Sequence, residues 1–217
     1  MDGNGSIQVN HWRYKNIQYR LVIKLKYCSE NINMLNLIKD TIGGNVNIIN
    51  NNFVIWVVNS KYHLIKINKI LTYYPPLTSR LQAQIKFMKE CLQRNDIEWY
   101  LSNRNSKYLN RETLINTNVL YFKEWLSGFI EAEGSFSIRK SNNHSFSIGQ
   151  NDDRYLIEAI KNYFQIQSQV RNSSTNFWSL ETYRHSTLIN LIKHLNEYPL
   201  LGEKSNSYLK FKNIINQ

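Results

Sequence analysis

A phrase near the start of the chain, Gly5–Val9 (GSIQV), returns as Gly134–Ile138 (GSFSI), and the segments that follow return with it. Each copy reads strand, strand, helix, strand, strand, helix, proline, helix. Pro75 to Phe87 matches Pro199 to Phe211 in spacing, and Arg80 and Lys204 fall at equivalent places. A period of about 125–130 residues is far too long for a solenoid repeat, so the duplication predicts two related subdomains. The expected boundaries are 1–94 for the first subdomain, a polar linker over 95–118, and 119–217 for the second.

The periodicities support this order. Ile7 and Val9 alternate against Ser6, Gln8 and Asn10, and Tyr19, Leu21, Ile23 and Leu25 alternate against Arg20, Lys24 and Lys26, with Val22 beside them. Helical spacing marks Asn33–Ile42, Lys61–Tyr73 and Ser79–Leu92, the second stopped by Pro75 and Pro76. Strands are expected at Val46–Ile49 and Phe53–Val58 around an asparagine turn. The second copy repeats the scheme: Ser135–Ile138 and Ser145–Gln150 as strands, Arg154–Phe164 as a helix, two strands around Asn172–Asn176, then helices over His185–Leu195 and around Tyr208, Leu209, Phe211 and Ile215.

Ahead of the second GSFSI stands WLSGFIEAEG, residues 125–134. Leu126, Phe129 and Ile130 make this helix apolar, while Gly128 and Ala132, four apart, form a small-residue face suited to close packing against another helix. Glu131 and Glu133 in its last turn are two positions apart and point in different directions, so one can be structural while the other faces a site. Gly134 ends the helix.

The chain has 217 residues, with 27 Lys and Arg against 16 Asp and Glu, a formal charge of +11. That balance favours a polyanionic partner, nucleic acid or an anionic surface. No apolar run approaches the roughly 20 residues that span a bilayer, which excludes membrane insertion. Cys28 and Cys91 form no CxxC or Cys/His cluster, so no zinc site or disulfide framework is indicated; both read as small buried residues. Antiparallel sheets covered by helices on one side leave a polar side. Two of them abreast would form a saddle carrying Gln8, Asn10, Arg20, Lys24 and Lys26 from the first copy and Arg139, Ser147 and Gln150 from the second. Gln, Asn and Arg on such a ribbon can reach base edges in a major groove, whereas Lys and the loop cations Arg13, Lys15, Lys140 and Arg171 suit phosphates.

WLSGFIEAEG resembles the signature helix of the LAGLIDADG homing endonucleases, and GSFSI, HSFSIGQND and YPLLGEK resemble the double-motif branch encoded in organellar introns. The resemblance implies an α+β fold of two tandem pseudo-symmetric αββαββα subdomains, monomeric, with a saddle for a long, near-palindromic DNA target. It implies hydrolysis of both strands with a divalent metal, normally Mg2+, and a mitochondrial setting. Carried onto this chain, the catalytic positions are Glu133, Asn4 and Lys204, and the metal positions Glu133 and Asn4 with Ala132 and Gly3. Gly128 and Ala132 belong to the interface helix.

The first copy departs from the family pattern. MDGNG aligns with the end of the signature, which sets Asp2 opposite Glu131 and Asn4 opposite Glu133, and the apolar part of that first helix is missing. Asn4 is neutral where the family has a carboxylate, so weakened or strand-biased cleavage is expected. The alternative is an RNA maturase that assists splicing of its host group I intron and needs no metal acid.

Overall fold

The computed structural model describes residues 1–109, 111, 115–140 and 143–217, in two units, Met1–Ile115 and Asn116–Gln217. Residues 110 and 112–114 of the expected linker lie outside the described residues. The first unit runs β1 (Gly5–Trp12), β2 (Asn16–Lys26), α1 (Ser29–Ile42), β3 (Asn45–Ile49), β4 (Phe53–Val58), α2 (Lys61–Tyr73), α3 (Ser79–Arg94) and α4 (Ile97–Asn103). The second runs α5 (Phe122–Glu133), β5 (Ser135–Ser137), β6 (Ser145–Asn151), α6 (Arg154–Tyr163), β7 (Arg171–Ser174), β8 (Phe177–Thr182), α7 (His185–Glu197) and α8 (Lys204–Ile215).

The duplication is visible in the sheets. Both are antiparallel and four-stranded, ordered β1-β2-β4-β3 and β5-β6-β8-β7. Strand parity sends one set of residues under the helices. In the first unit Ile7, Val9, Leu21, Ile23, Val54, Trp56 and Val58 pack with Leu35, Leu64, Ile67, Leu81 and Met88. In the second, Phe146, Ile148 and Leu180 pack with Leu126, Phe129, Ile130, Ile157, Leu188 and Phe211. Local chemistry sets the turns: Asn50 and Asn51 take φ of 50° and 53° between β3 and β4, where a short amide side chain tolerates the left-handed region. Gly44 has φ of 98°, and a Cβ there would stand 2.7 Å from the Trp56 indole nitrogen, which donates to the Gly43 carbonyl at 2.9 Å.

Helix α4 belongs to the first unit, although it falls within the expected polar linker: Ile97, Trp99 and Leu101 pack against the first core. Tyr100 is buried and its hydroxyl donates to the Val9 carbonyl at 3.0 Å, while Gln84 Oε1 accepts from Ile7 N at 2.8 Å. Side chains thus satisfy the open edge of β1, which would otherwise invite pairing.

Three expectations are corrected. Strand β5 stops at Ser137 and Ile138 is exposed, so this hairpin is much shorter than β1–β2, where Trp12 still pairs with Asn16. The side of the first sheet away from the helices is not uniformly polar: Val22, Ile55 and Val57 are buried on it as a small cluster of their own. Cys28 is only half-buried, as the N-cap residue of α1, whereas Cys91 is buried, which pushes its thiol up to about 11. Among the described residues no helix is long and apolar enough to cross a membrane.

Candidate catalytic and nucleic-acid-binding site

The end of the signature helix is held by its own carboxylate. Glu131 accepts from the backbone N–H of Gly202 through Oε2 and of Lys204 through Oε1, both at 3.0 Å, and the Lys204 ammonium donates to the Gly134 carbonyl. The first unit builds the same frame from different residues. Buried Asp2 accepts from Thr78 N at 2.9 Å and from the Thr78 hydroxyl through Oδ1. Arg80 donates to the carbonyls of Gly5 at 3.0 Å, Asp2 at 2.8 Å and Gly3 at 3.1 Å. Arg80 and Lys204 therefore do equivalent work: each neutralises carbonyls at the turn into the first strand of its unit.

Two residues after each framing acid come Asn4 and Glu133. Asn4 is exposed in the turn Met1–Gly5, closed by Gly5 N donating to the Met1 carbonyl at 2.8 Å. Glu133 is half-buried as the last residue of α5, where helix carbonyls gather partial negative charge and no basic residue lies in the last turn. Gly3 and Ala132 immediately precede these two positions and are half-buried. Gly128 is exposed, and a Cβ there would meet no atom of the described residues within 4 Å. It lies on the opposite side of α5 from buried Leu126 and Ile130.

The strand faces carry the remaining candidates. In the first unit, register places Gln8 opposite Arg20 and Asn10 opposite Gln18, with Lys24 and Lys26 further along β2, all on the side away from the helices. Lys24 Nζ lies 3.9 Å from the centroid of the Phe53 ring, which holds its ammonium over the sheet. Arg13 and Lys15 occupy the hairpin tip, where Arg13 stacks over exposed Trp12 at 5.2 Å. In the second unit Ser147, Arg139 and Arg171 lie on the equivalent side or its loops. Arg139 pairs with Glu181 at 3.2 Å and stacks on Tyr183, so part of its charge is already matched. Lys140 is exposed in the loop after β5.

Gln150 is corrected. It has the parity of Phe146 and Ile148 and pairs with Trp178, which puts it on the helix-covered side, opposite in direction to Ser147. Strict alternation from Phe146 contains that information. A feature the periodicity did not flag is Gly149, where a Cβ would stand 2.4 Å from the Phe177 ring; the glycine lets this ring fold over the sheet.

Behind α5 lies a buried polar chain with a single consistent set of donors. Ser127 Oγ donates to the Tyr198 carbonyl at 2.7 Å, so it accepts from His194 Nε2 at 3.0 Å, and His194 Nδ1 then accepts from the Tyr163 hydroxyl at 3.0 Å. Burial pushes this imidazole down to about 4, with Lys123 adding to the shift and Glu197 and Glu124 opposing it. The chain serves packing of α5 against α7.

Both units, their repeated frame and the signature helix define a class, and comparison with known proteins agrees. The LAGLIDADG endonuclease family profile matches residues 1–91 and 126–215, and the chain belongs to that family. It is 46% identical over 221 residues to the probable intron-encoded endonuclease aI3 of Dictyostelium citrinum, covering 98% of this chain and 91% of that protein. It is 45% identical over 249 residues to the protein of the same description from Debaryomyces hansenii, but spans only 36% of its length. Among solved structures it is similar to the LAGLIDADG homing endonuclease I-GzeII in complex with its DNA target, with a TM-score of 0.80, 20% identity, and coverage of 99% of this chain and 87% of that one. The meganuclease I-CpaMI bound to uncleaved DNA gives 0.79 at 19% identity, with 99% and 88% covered.

Proposed function

We propose that this chain is an intron-encoded, site-specific endonuclease that hydrolyses phosphodiester bonds of a long, near-palindromic double-stranded DNA target, as a monomer, in the mitochondrion. The observation that carries this reading is the repeated frame. Asp2 with Arg80 and Glu131 with Lys204 hold two equivalent turns, and the residue each turn presents two places on is Asn4 in one and Glu133 in the other.

The residues suit a hard divalent cation, with Mg2+ as the expected ion. Oxygen donors are what such an ion takes, and a carboxylate on the negative end of α5 is a favourable place for positive charge. Glu133 with Ala132 in the second unit, and Asn4 with Gly3 in the first, are the residues that would each hold such an ion. When bound, the metal supplies Lewis acidity toward the phosphate and an activated water. The chain contributes orientation and charge around that chemistry. Lys204, fastened to the Gly134 carbonyl, keeps a cation beside Glu133 that offsets the approach of a phosphate and the charge that develops on it. Gln8, Asn10 and Arg20 read base edges, while Lys24, Lys26, Arg13, Lys15, Lys140 and Arg171 take phosphates.

Asn4 offers an amide oxygen but no charge, so the two strands are cut unequally, and nicking exceeds linearisation. A second reading, a maturase for the host group I intron, is favoured by that same neutral residue. The deciding experiment incubates supercoiled plasmid carrying the intronless allele with protein and Mg2+, alongside Glu133→Gln, and in parallel assays splicing of the intron. Nicking that Glu133→Gln abolishes supports the endonuclease. Splicing unaffected by Glu133→Gln, with no cleavage by either protein, selects the maturase.

A further inference from the structure

The first unit carries a groove of about 1130 Å3 whose lining the duplex reading leaves largely unused, Asn10 and Arg20 excepted. It exists because the β1–β2 hairpin outruns its neighbour: β2 pairs with β4 only from Leu21 onward, opposite Val58, so Ile17–Arg20 has β1 on one side and open space on the other. The facing wall is one stripe of α2, Lys61, Leu64, Ile65 and Asn68, at helical spacings of three and four. The volume lies at the upper end of the roughly 300–1,000 Å3 of ordinary ligand pockets, room enough for a base with its sugar and phosphate.

Two residues that line this space each carry a buried polar atom with no hydrogen-bond partner among the described residues: the Tyr19 hydroxyl and Asn68 Oδ1. A buried donor or acceptor without a partner is costly; one of these is a phenol that can donate or accept, the other an amide oxygen that accepts. Burial, with the Cys91 thiol nearby, pushes the phenol up to about 12, which keeps its proton in place. The rest of the lining combines further amides, Gln18, Asn47, Asn59 and Asn95, with the cations Lys61 and Arg20 and apolar Leu64, Ile65 and Leu92. Among the described residues no Asp or Glu lines it.

We propose that this groove takes unpaired nucleotides of a single-stranded nucleic acid, a base entering between α2 and β2 while Lys61 meets its phosphate. Amides and a phenol match the hydrogen-bonding edge of a base, and aliphatic side chains match its face. A base paired in a duplex hides that edge, so the ligand is single-stranded. Tyr62, exposed beside Lys61, offers a ring on which a neighbouring base can stack.

The test titrates the full chain against fluorescently labelled 12-mers of oligouridylate and oligodeoxythymidylate, with excess unlabelled random-sequence duplex present. Anisotropy should report binding of at least one oligomer that duplex does not displace, and the tighter of the two identifies RNA or DNA as the source. Tyr19→Phe and Asn68→Leu should each weaken it five- to twentyfold while duplex affinity stays within twofold. Because both remove an unpartnered polar atom, the melting temperature should hold or rise, which separates lost recognition from lost folding. Complete displacement by duplex, or full oligomer affinity in both variants, overturns the proposal. Neither result bears on whether Glu133 supports cleavage of duplex.

Discussion

Lys204 donates its backbone N–H to Glu131 Oε1 at 3.0 Å and its ammonium to the Gly134 carbonyl, so one residue ties down both the last-turn acid of α5 and the main chain that leaves the helix. Charge-assisted bonds of this kind are worth more than neutral ones. Glu131→Ala should therefore cost about 2–3 kcal/mol, or roughly 4–12 °C in melting temperature for a chain of this size. Asp2→Ala should act similarly on the first unit through Thr78. Thermal unfolding followed by circular dichroism checks both, and Glu133→Gln, two residues from Glu131, should shift the midpoint far less while abolishing cleavage.

Asn4 is exposed, so a carboxylate there carries little folding cost. Asn4→Glu and Asn4→Asp should raise Mg2+-dependent cleavage and move the plasmid products from nicked toward linear. Agarose-gel quantification of the two product forms over time provides the check. An unchanged ratio in both variants would mean that Asn4 does not limit the second strand.

Acid should loosen the second unit through His194. Its imidazole titrates near 4 when folded and near 6.5 when unfolded, so the unfolded chain binds the extra proton first. Stability from this group is fully present above about 6.5 and is lost as pH falls toward 4, by roughly 3 kcal/mol in all. Urea midpoints measured between pH 7.5 and 4 should fall more steeply for the wild type than for His194→Gln. Equal slopes would show that other groups dominate the acid transition.

On the proposed reading, the strand face separates base reading from phosphate holding. Lys24→Ala should weaken DNA binding to all sequences alike and reduce the salt dependence of log K by about one phosphate contact. Arg20→Ala should instead relax specificity at one position of the target, at a cost of about 1–3 kcal/mol on the cognate site. Binding titrations at several salt concentrations, on cognate and scrambled duplexes, distinguish the two.

Pattern alone reached far into this chain. The repeat of GSIQV and GSFSI, the matched proline-to-phenylalanine spacing and strict strand alternation specify two like units, their antiparallel sheets and the helices above them. These are local properties, set by periods of 2 and 3.6 residues and by asparagine, glycine and proline at the turns. The equivalence of Asp2 with Glu131 and of Arg80 with Lys204 was legible too, because a duplicated chain keeps equivalent places in register.

Tertiary structure decided what depends on contacts remote in sequence. It buried Val22, Ile55 and Val57 on a face that reads as polar, drew Tyr100 out of the expected linker under β1, and stopped β5 at Ser137. It assigned Lys204 to the Gly134 carbonyl, 70 residues away, and opened a groove where β2 outruns β4. Alternation says which way a side chain points; only packing says what meets it there, because burial and hydrogen bonding belong to pairs of residues that the chain brings together late.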